Sequence, residues 1–405
     1  LVMGPAGVVY CMNYPVTVLS VAYFIISTLL LPLMVQAFSC LVAWVISLIS
    51  SKMRNKNIIT MVVSLLFLAA YFYLYSKMGD IISGLIANGT AIAVAFKKYA
   101  FPAYYFGVGI AEHNLTYLLL YTVCTLVVFE LVYAILSRSF RQITTAKKGT
   151  ARIKYKERSM HVSSPAAALL RKDFRHFIGN PMYVLNAWMG EILLVVACVA
   201  MLIKKDILTE FLPILNGEGE IMGLILCVIL CGLSCTNLIT APSISLEGKN
   251  LWIAQSIPVP AATVLRAKVK LQMLLCIPIT ALSALLMGIV LKLELLTLVL
   301  AVLVPAAFNL FTALLGVVVN LHFPKFDYIN ETVVIKQSMS TMICMFGSMA
   351  VVLVLALLYA LLLSASVAPT LFLAVCLVLL VIVCVLMWRY LGHGGSARFA
   401  ALQAD

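Results

Sequence analysis

Nine long apolar runs constrain the fold of this chain more than any other feature of its sequence. A helix needs about 20 apolar residues to cross a bilayer, and membrane-crossing strands are excluded because the runs do not alternate with period two. Since 64% of the residues are hydrophobic and 11% are charged, far from the usual globular mix, we predict an all-α, polytopic membrane protein. The runs are residues 17–50, 58–76, 115–136, 183–203, 221–241, 269–291, 295–321, 341–364 and 368–391.

The formal charge of +13 is divided unevenly among the segments between the runs. Five segments carry 22 of the 28 Lys and Arg residues but only 6 of the 15 Asp and Glu residues. Cytoplasmic segments are enriched in Lys and Arg, so we expect these five on the cytoplasmic side of the cell's inner, cytoplasmic membrane. Their basic side chains then contact anionic lipids, and nucleic acid is not expected as a partner. The five segments are residues 51–57, 137–182, 241–270, 322–340 and 389–405.

Two parts of the chain resemble each other, which predicts a two-fold internal repeat. A proline is followed twenty residues later by a lysine in both parts, as Pro32 with Lys52 and as Pro305 with Lys325. Repeats of this kind are common in transporters, and the alternative is two helices that are alike by composition only. The predicted domains are a partial first half at 1–136, expected to lack its N-terminal spans, a basic linker at 137–182, a six-span second half at 183–391, and a cytoplasmic tail at 392–405.

Two segments outside the runs are expected to form helices at the membrane surface. The external segment 77–114 contains an aromatic cluster. We expect this segment either to form short interfacial helices that cap a translocation path or to be a surface feature without such a role. The linker segment Pro165–Ile178 has helical spacing, with Pro165 at a favourable first position. Its basic residues would face headgroups while its apolar residues face lipid or protein. The cluster contains Phe101, Tyr104, Tyr105 and Phe106, and the linker helix contains Leu170, Arg171, Lys172, Phe174 and Arg175.

Residues 243–268, named here the elbow segment, form a polar, proline-punctuated insert between two apolar runs. Such an insert belongs at a water boundary, because unpaired backbone and charged groups are costly in hydrocarbon. Gly248 permits a sharp turn, Trp252 suits an interface, and Pro258 predicts an extended exit. A rigid cytoplasmic elbow suits the docking of a soluble partner, and a solvated loop with interfacial anchors is the alternative.

Residues with obvious catalytic chemistry are scarce in this sequence. It contains no phosphate-binding GxxxxGK[ST] loop, no HExxH and no GxSxG motif. The eleven Cys and five His residues are scattered, so we expect neither a metal site nor a disulfide framework. Of the fifteen Asp and Glu residues, only Glu130 and Glu191 lie inside the apolar runs. They either line a substrate route or form hydrogen bonds across helix interfaces.

Three motifs resemble the permeases of bacterial type-2 ATP-binding-cassette (ABC) exporters. They are Glu247-Gly-Lys-Asn-Leu-Trp-Ile, Ser256-Ile-Pro-Val-Pro and Val264-Leu-Arg-Ala-Lys268. The segments Arg171-Lys-Asp-Phe-Arg and Asn180-Pro-Met-Tyr-Val-Leu-Asn are also similar to the region that leads into the first span of such permeases.

The resemblance implies a non-catalytic permease that binds no cofactor itself and works with two separate ATPase subunits, which bind ATP and Mg²⁺. It implies that Pro165–Ile178 is a connecting helix and that the aromatic cluster belongs to an external gate. It further implies that Ser243–Ile257 is the coupling segment. Residues expected to couple the permease to the ATPase are Glu247, Gly248, Lys249, Trp252, Pro258 and Arg266.

The function expected from these features is ATP-driven export of an amphipathic substrate, such as a peptide, a lipid or a drug-like molecule. Two alternatives remain open at the level of sequence. One is a secondary transporter driven by an ion gradient through Glu130 and Glu191. The other is a membrane anchor or sensor that binds a cytoplasmic partner and transports nothing.

Overall fold

The computed structural model describes residues 17–51, 56–88, 96–112, 114–145, 163–203, 219–364 and 366–403, with a few isolated positions before residue 17 and at Val94. Within these ranges every regular element is a helix, which confirms the predicted all-α membrane fold. The chain divides into two compact units, residues 1–157 and 158–405. Lys52 of the proposed repeat and most of the basic stretch 146–162 lie outside the described residues.

In the described residues of the first unit, five helices have defined bounds. The long helices α1 and α5 pack on each other, and the short helix α4 packs on α5. Aromatic rings contribute to the contact between α4 and α5, where Tyr105 stacks on Tyr117 with ring centroids 5.9 Å apart. Residues 77–114 contain two short helices, α3 and α4, and their placement at the membrane interface stays a prediction. The helices are α1 (Val18–Ser51), α2 (Lys56–Ser76), α3 (Met78–Ala87), α4 (Phe101–Ala111) and α5 (Leu115–Thr145).

Over its described residues the second unit contains eleven α-helices, and they are arranged around α12, which packs against α9, α11, α14 and α15. The first of these helices are α6 (Pro165–Gly179), α7 (Pro181–Ala187), α8 (Met189–Ile203), α9 (Gly219–Ser234), α10 (Leu251–Ser256) and α11 (Ala261–Val290). The remaining helices are α12 (Leu295–His322), α13 (Glu331–Gln337), α14 (Met339–Leu358), α15 (Pro369–Gly392) and α16 (Gly394–Ala401).

Six helical stretches of the described residues are long and apolar enough to cross a membrane, and a bent pair, Thr60–Ser76 with Met78–Gly84, would be a seventh if its two helices form one span. The two remaining predicted spans correspond to shorter apolar helices, α8 and α9. The six stretches are Val21–Ile46, Leu115–Ser139, Ala261–Val290, Leu295–His322, Glu331–Leu363 and Pro369–Gly392.

The expected continuous helix over residues 221–241 is wrong at its C-terminal end, because α9 stops at Ser234. The backbone that follows finds partners outside its own helix. Leu238 N–H donates to the carbonyl of Ala187 at 2.8 Å, while the Gln272 side chain accepts from Thr240 N–H at 3.0 Å and donates to Asn237 O at 3.0 Å. Since a neighbouring helix satisfies these polar groups, the chain leaves the helical path inside an apolar run.

The expected start of the next run at residue 269 is also wrong, because α11 begins at Ala261. The basic residues Arg266, Lys268 and Lys270 therefore lie on the first turns of a helix rather than in a loop. The run at 183–203 is likewise interrupted at Trp188, between α7 and α8. The start of α11 directly follows Pro260, whose extended backbone (ψ 133°) precedes the helix.

The second unit has two main apolar cores. One lies among α8, α9, α12, α14 and α15 and includes Leu230 and Phe308. The other lies beside the elbow segment and includes Leu251, Leu265 and Phe399. Phe399 belongs to α16, so the predicted tail 392–405 is packed on the bundle over its described part. The Gln255 side chain ties it there by donating to the carbonyls of Phe399 and Leu402, each at 2.9 Å.

Candidate functional site

The elbow segment folds as two short helical turns followed by an extended exit. A 3₁₀ turn covers Ser245–Asn250 and continues into α10. Ile257 and Pro260 are then extended, with ψ values of 134° and 133°. The sequence Pro-Val-Pro explains this exit, because proline cannot continue a helix and restricts the residue before it. The elbow therefore leads directly into α11.

Gly248 makes the bend in the 3₁₀ turn, with φ 54° and ψ −137°. Side chains rarely adopt this region of backbone space, and glycine does so without steric cost. A Cβ atom at this position would lie 2.9 Å from the hydroxyl of Tyr328. That hydroxyl donates to Leu246 O at 3.2 Å, so the turn is held closely against the segment before α13.

Four charged residues, named here the ion cluster, fix the elbow to two helices. Lys172 of α6 lies 2.7 Å and 2.9 Å from the two carboxylate oxygens of Glu247. Lys268 of α11 lies 2.8 Å from the same carboxylate and donates to Ser243 O at 3.0 Å. Asp173 completes the cluster, 3.7 Å from each lysine. One carboxylate thus joins the elbow to both α6 and α11.

The ion cluster is buried on one side and open on the other. The side chain of Lys268 is 2% exposed and that of Glu247 is 14% exposed, whereas that of Lys172 is 47% exposed. Burial by itself would raise the pKa of the Glu247 carboxyl, but the charges and hydrogen bonds of Lys268 and Lys172 outweigh it and lower this pKa to about 2. Glu247 is therefore ionised at neutral pH and neutralises a buried lysine.

A second anchor of the elbow is Asn320, near the end of α12. Its side-chain oxygen accepts from the N–H groups of Ile244 and Ser245 at 2.8 Å and 3.1 Å. Its amide nitrogen donates to the hydroxyls of Ser245 and Ser340 at 2.7 Å and 3.1 Å. The sequence interpretation missed this residue, although an asparagine inside a long apolar run signals a buried hydrogen-bonding role.

The opposite face of the elbow is at the surface and mixes apolar and basic groups. Trp252 is 64% exposed and Ile253 is 46% exposed, and Lys249 and Pro258 are also exposed. Arg266 differs, because its guanidinium lies over the Trp388 ring, 5.1 Å from the ring centroid. Of the six residues expected to couple to an ATPase, Lys249, Trp252 and Pro258 are accessible, while Glu247, Gly248 and Arg266 hold the elbow in place.

Helix α6 matches the predicted connecting helix in extent. The hydroxyl of Ser164 accepts from Ala167 N–H at 3.4 Å and caps it, with Pro165 in the first turn. Leu170 and Phe174 are half-buried and Arg171 and Arg175 are exposed. Lys172 departs from the expectation, since it contacts Glu247 instead of facing only headgroups. A charge expected to meet lipid therefore holds α6 and the elbow together.

The two acids inside apolar runs lie in different surroundings. Glu191 is 1% exposed, and its carboxylate accepts hydrogen bonds from Asn237 at 2.9 Å and Thr280 at 2.8 Å. Asn309 extends this network by donating to Thr280 at 2.9 Å. Glu130 is exposed on α5 of the first unit. The geometry of Glu191 favours the interpretation as a hydrogen-bonded helix contact over that of an open substrate route.

The predicted gate residues lie on α4 of the first unit. Phe101 is exposed, and Tyr104, Tyr105 and Phe106 are half-buried. Phe106 packs edge-on against Tyr121 of α5, with ring centroids 5.4 Å apart. These contacts fix the orientation of α4 on α5, and the gating role of the cluster stays a prediction.

Comparison with models of known protein families identifies the family of this chain. Residues 81–389 match the model of the family described as "Putative ATP-binding cassette", and this match covers more than half of the chain. The chain therefore belongs to that family. The search of curated proteins and the search of solved structures returned no match. The ABC relationship and the polytopic helical fold are thus established together.

Proposed function

We propose that this chain is the permease subunit of an ATP-driven exporter in the cytoplasmic membrane, coupled to separate ATPase subunits through the elbow segment. The observation that carries the proposal is the two-sided construction of the elbow. One side is locked to α6, α11 and α12 by the ion cluster and Asn320. The other side exposes Trp252 and Ile253, which are therefore available to a partner. Membership of an ABC-related family supports the same function.

The elbow can transmit force because it is tied to several helices at once. A partner that moves the exposed face would displace the 3₁₀ turn and α10 together, since Gly248 and Asn320 fix their geometry. Glu247 would carry the displacement to α6 through Lys172 and to α11 through Lys268. Packed elements respond to such a displacement as rigid bodies rather than by continuous deformation.

The remaining parts of the proposal follow from this role. Two ATPase subunits would bind ATP and Mg²⁺ and supply the energy, and this chain would supply the path. The aromatic cluster on α4 would act at the external end of that path. The substrate would be amphipathic, because the membrane-crossing helices are apolar and their ionisable groups are few.

The elbow face can be tested by weakening it without touching the ion cluster. In the variant Trp252→Ala/Ile253→Asp, we expect ATPase subunits co-expressed with the permease to lose most co-purification and stimulated hydrolysis. The thermal stability of the permease should be unchanged, because both side chains are exposed. Leu361→Ala is the control, since Leu361 is 76% exposed on the π-helical turn that follows α14. Full ATPase binding and stimulation in the elbow variant would refute the proposed coupling.

One observation favours a second candidate, a transporter driven by an ion gradient. The Glu191 carboxylate is buried between α8 and α11 and accepts hydrogen bonds from the neutral donors Asn237 and Thr280, and ionisable groups inside a membrane often mark ion or proton routes. This candidate predicts that Glu191→Gln abolishes transport and that an uncoupler stops transport while ATP is intact. Transport that continues both in Glu191→Gln and in the presence of the uncoupler would exclude the ion-gradient function and favour the ATP-driven one.

A further inference from the structure

An open-sided apolar cavity lies between α9, α12, α14 and α15, away from the elbow, and the space enclosed by its walls is about 60 Å³. We name it the hydrocarbon cavity because of its walls. Its lining residues are Leu224, Cys227, Val228, Cys231, Val304, Phe308, Val352, Leu355, Ala356, Phe372, Leu373, Cys376 and Leu380.

The chemistry of the walls restricts what can occupy the cavity. All thirteen lining residues have aliphatic, aromatic or thiol side chains. A charged or strongly hydrogen-bonding group would lose its hydration there without gaining a partner, at a cost of several kcal/mol. The occupant inside the walls must therefore be hydrocarbon.

The cavity has a closed inner end and an open side. Cys227 and Phe308 are each 2% exposed and form the deep wall. Val228, Leu355, Ala356 and Leu380 are only partly buried, so they mark the side on which the cavity opens. A hydrocarbon chain could enter through this side without passing through water.

The position of the cavity along the helices points to one half of the membrane. Cys376 lies seven residues from Pro369, which is about 10 Å along α15 at 1.5 Å per residue. Pro369 begins α15 at the end opposite to the basic segments, which we assign to the outer side. Tyr359 and Phe372 close this end, with ring centroids 4.9 Å apart. The cavity thus lies in the outer part of the hydrocarbon layer.

The size of the cavity argues against another helix as its natural occupant. A helix of three turns with side chains is about 10 Å wide and 16 Å long, a volume on the order of 1,300 Å³. The enclosed space of about 60 Å³ is far smaller than that. A single unbranched chain needs less width, and because it comes from hydrocarbon it is held by van der Waals contacts with the walls.

We infer that the hydrocarbon cavity binds an unbranched alkyl chain of a membrane amphiphile, which enters from the outer part of the bilayer between α9 and α14. The inference rests on the proposed function only in suggesting that the exported substrate carries such a chain. Binding itself requires neither ATP nor a partner subunit. A binding experiment therefore separates the failure of this inference from the failure of the proposed function.

Photo-crosslinking of the full chain in lipid nanodiscs tests the inference. Two probes are used, a phospholipid and a single-chain fatty acid, each with a diazirine in its alkyl chain. We expect mass spectrometry to find adducts on the peptides that contain Cys227 and Cys376. Adduct formation from the phospholipid alone identifies a bilayer lipid. Saturable labelling by the fatty acid that an excess of unlabelled fatty acid suppresses identifies a free amphiphile.

Neighbouring residues on α14 provide a matched control. Ala356→Phe places a ring at the mouth of the cavity and should reduce the cavity adducts at least about ten-fold. Leu357→Phe adds a ring at a residue that is 55% exposed and should leave them unchanged. Equal adduct levels in the two variants, or adducts confined to the exposed faces of α14 and α15, would overturn the inference.

Cysteine labelling gives a second measurement should Ala356→Phe fail to fold. Cys376 lines the cavity, whereas Cys384, two turns further along α15, is 4% exposed in the other core. In variants that keep one of these cysteines, the fatty acid should slow the reaction of N-ethylmaleimide with Cys376 several-fold and leave Cys384 unaffected. If neither the phospholipid nor the fatty acid protects Cys376, the inference is contradicted.

Discussion

The ion cluster and the hydrocarbon cavity lie in the same unit but are stabilised in opposite ways. In the ion cluster, a few short charged contacts between distant parts of the sequence fix the elbow to α6 and α11. In the hydrocarbon cavity, apolar side chains face each other without a directional bond and leave space between four helices. The first region is tied together by charge, whereas the second has no directional bond between its walls. The difference is the one that the proposed coupling through the elbow requires.

The largest expected effect comes from removing the buried lysine of the ion cluster. Lys268→Met should lower the free energy of unfolding by up to about 3–5 kcal/mol, because the negative charges of Glu247 and Asp173 then face only the half-exposed Lys172. Lys172→Met makes the same chemical change at a side chain that is 47% exposed and should cost about 0–1 kcal/mol. Unfolding by sodium dodecyl sulfate in mixed micelles measures both. Equal losses would show that burial does not distinguish the two lysines.

Acid should weaken the ion cluster over a defined pH range. The pKa of Glu247 is lowered from its ordinary value of 4.5 to about 2 in the folded protein, so folding favours its ionised form. Its contribution is complete above about pH 4.5 and is lost as the pH falls through about 2; at 1.36 kcal/mol per unit it is on the order of 3 kcal/mol.

The comparison of wild type with Glu247→Gln isolates this contribution. We expect the melting temperature of the wild type to fall more steeply than that of the variant between pH 5 and pH 2.5. Carboxyl groups elsewhere titrate in both proteins and cancel in the difference. Parallel curves would mean that Glu247 is not stabilised in its ionised form.

A smaller effect is expected at the bend of the elbow. Gly248→Ala should destabilise the protein by about 1–3 kcal/mol, because φ is positive and the backbone region is strained for other residues. The new Cβ would also meet the hydroxyl of Tyr328. The double variant Gly248→Ala/Tyr328→Phe separates the two causes, since it removes the contact and keeps the strain. A neutral Gly248→Ala would indicate that the turn can change its conformation freely.

The smallest effect is expected in the hydrocarbon cavity. Ala356→Leu should change the free energy of unfolding by less than about 1 kcal/mol, because the added methyl groups enter existing space. In a fully packed core, extra methylenes usually cost about 1–3 kcal/mol. Gly288→Ala is the contrasting change, since its Cβ would clash with the Leu298 side chain. A loss of 2 kcal/mol or more in Ala356→Leu would show that the cavity walls are rigid.

Much of the fold could be predicted from hydropathy and proline alone. The apolar runs indicate where helices lie, and the Pro-Val-Pro sequence of the elbow indicates its extended exit, because both signals act over a few neighbouring residues. The prediction failed where polar side chains interrupt an apolar run. Asn237 and Gln272 supply hydrogen bonds that end α9 at Ser234, and their effect depends on a contact between separate helices.

The candidate site shows the same division between local and distant causes. The sequence by itself determined that the elbow is polar, bent at Gly248 and equipped with an aromatic residue at Trp252, since these properties belong to the residues themselves. Only the tertiary structure decided that Glu247 binds Lys172 and Lys268 rather than a partner, and that four helices leave a cavity between them. Pairing and packing depend on which helices meet, and local residue patterns do not encode that choice.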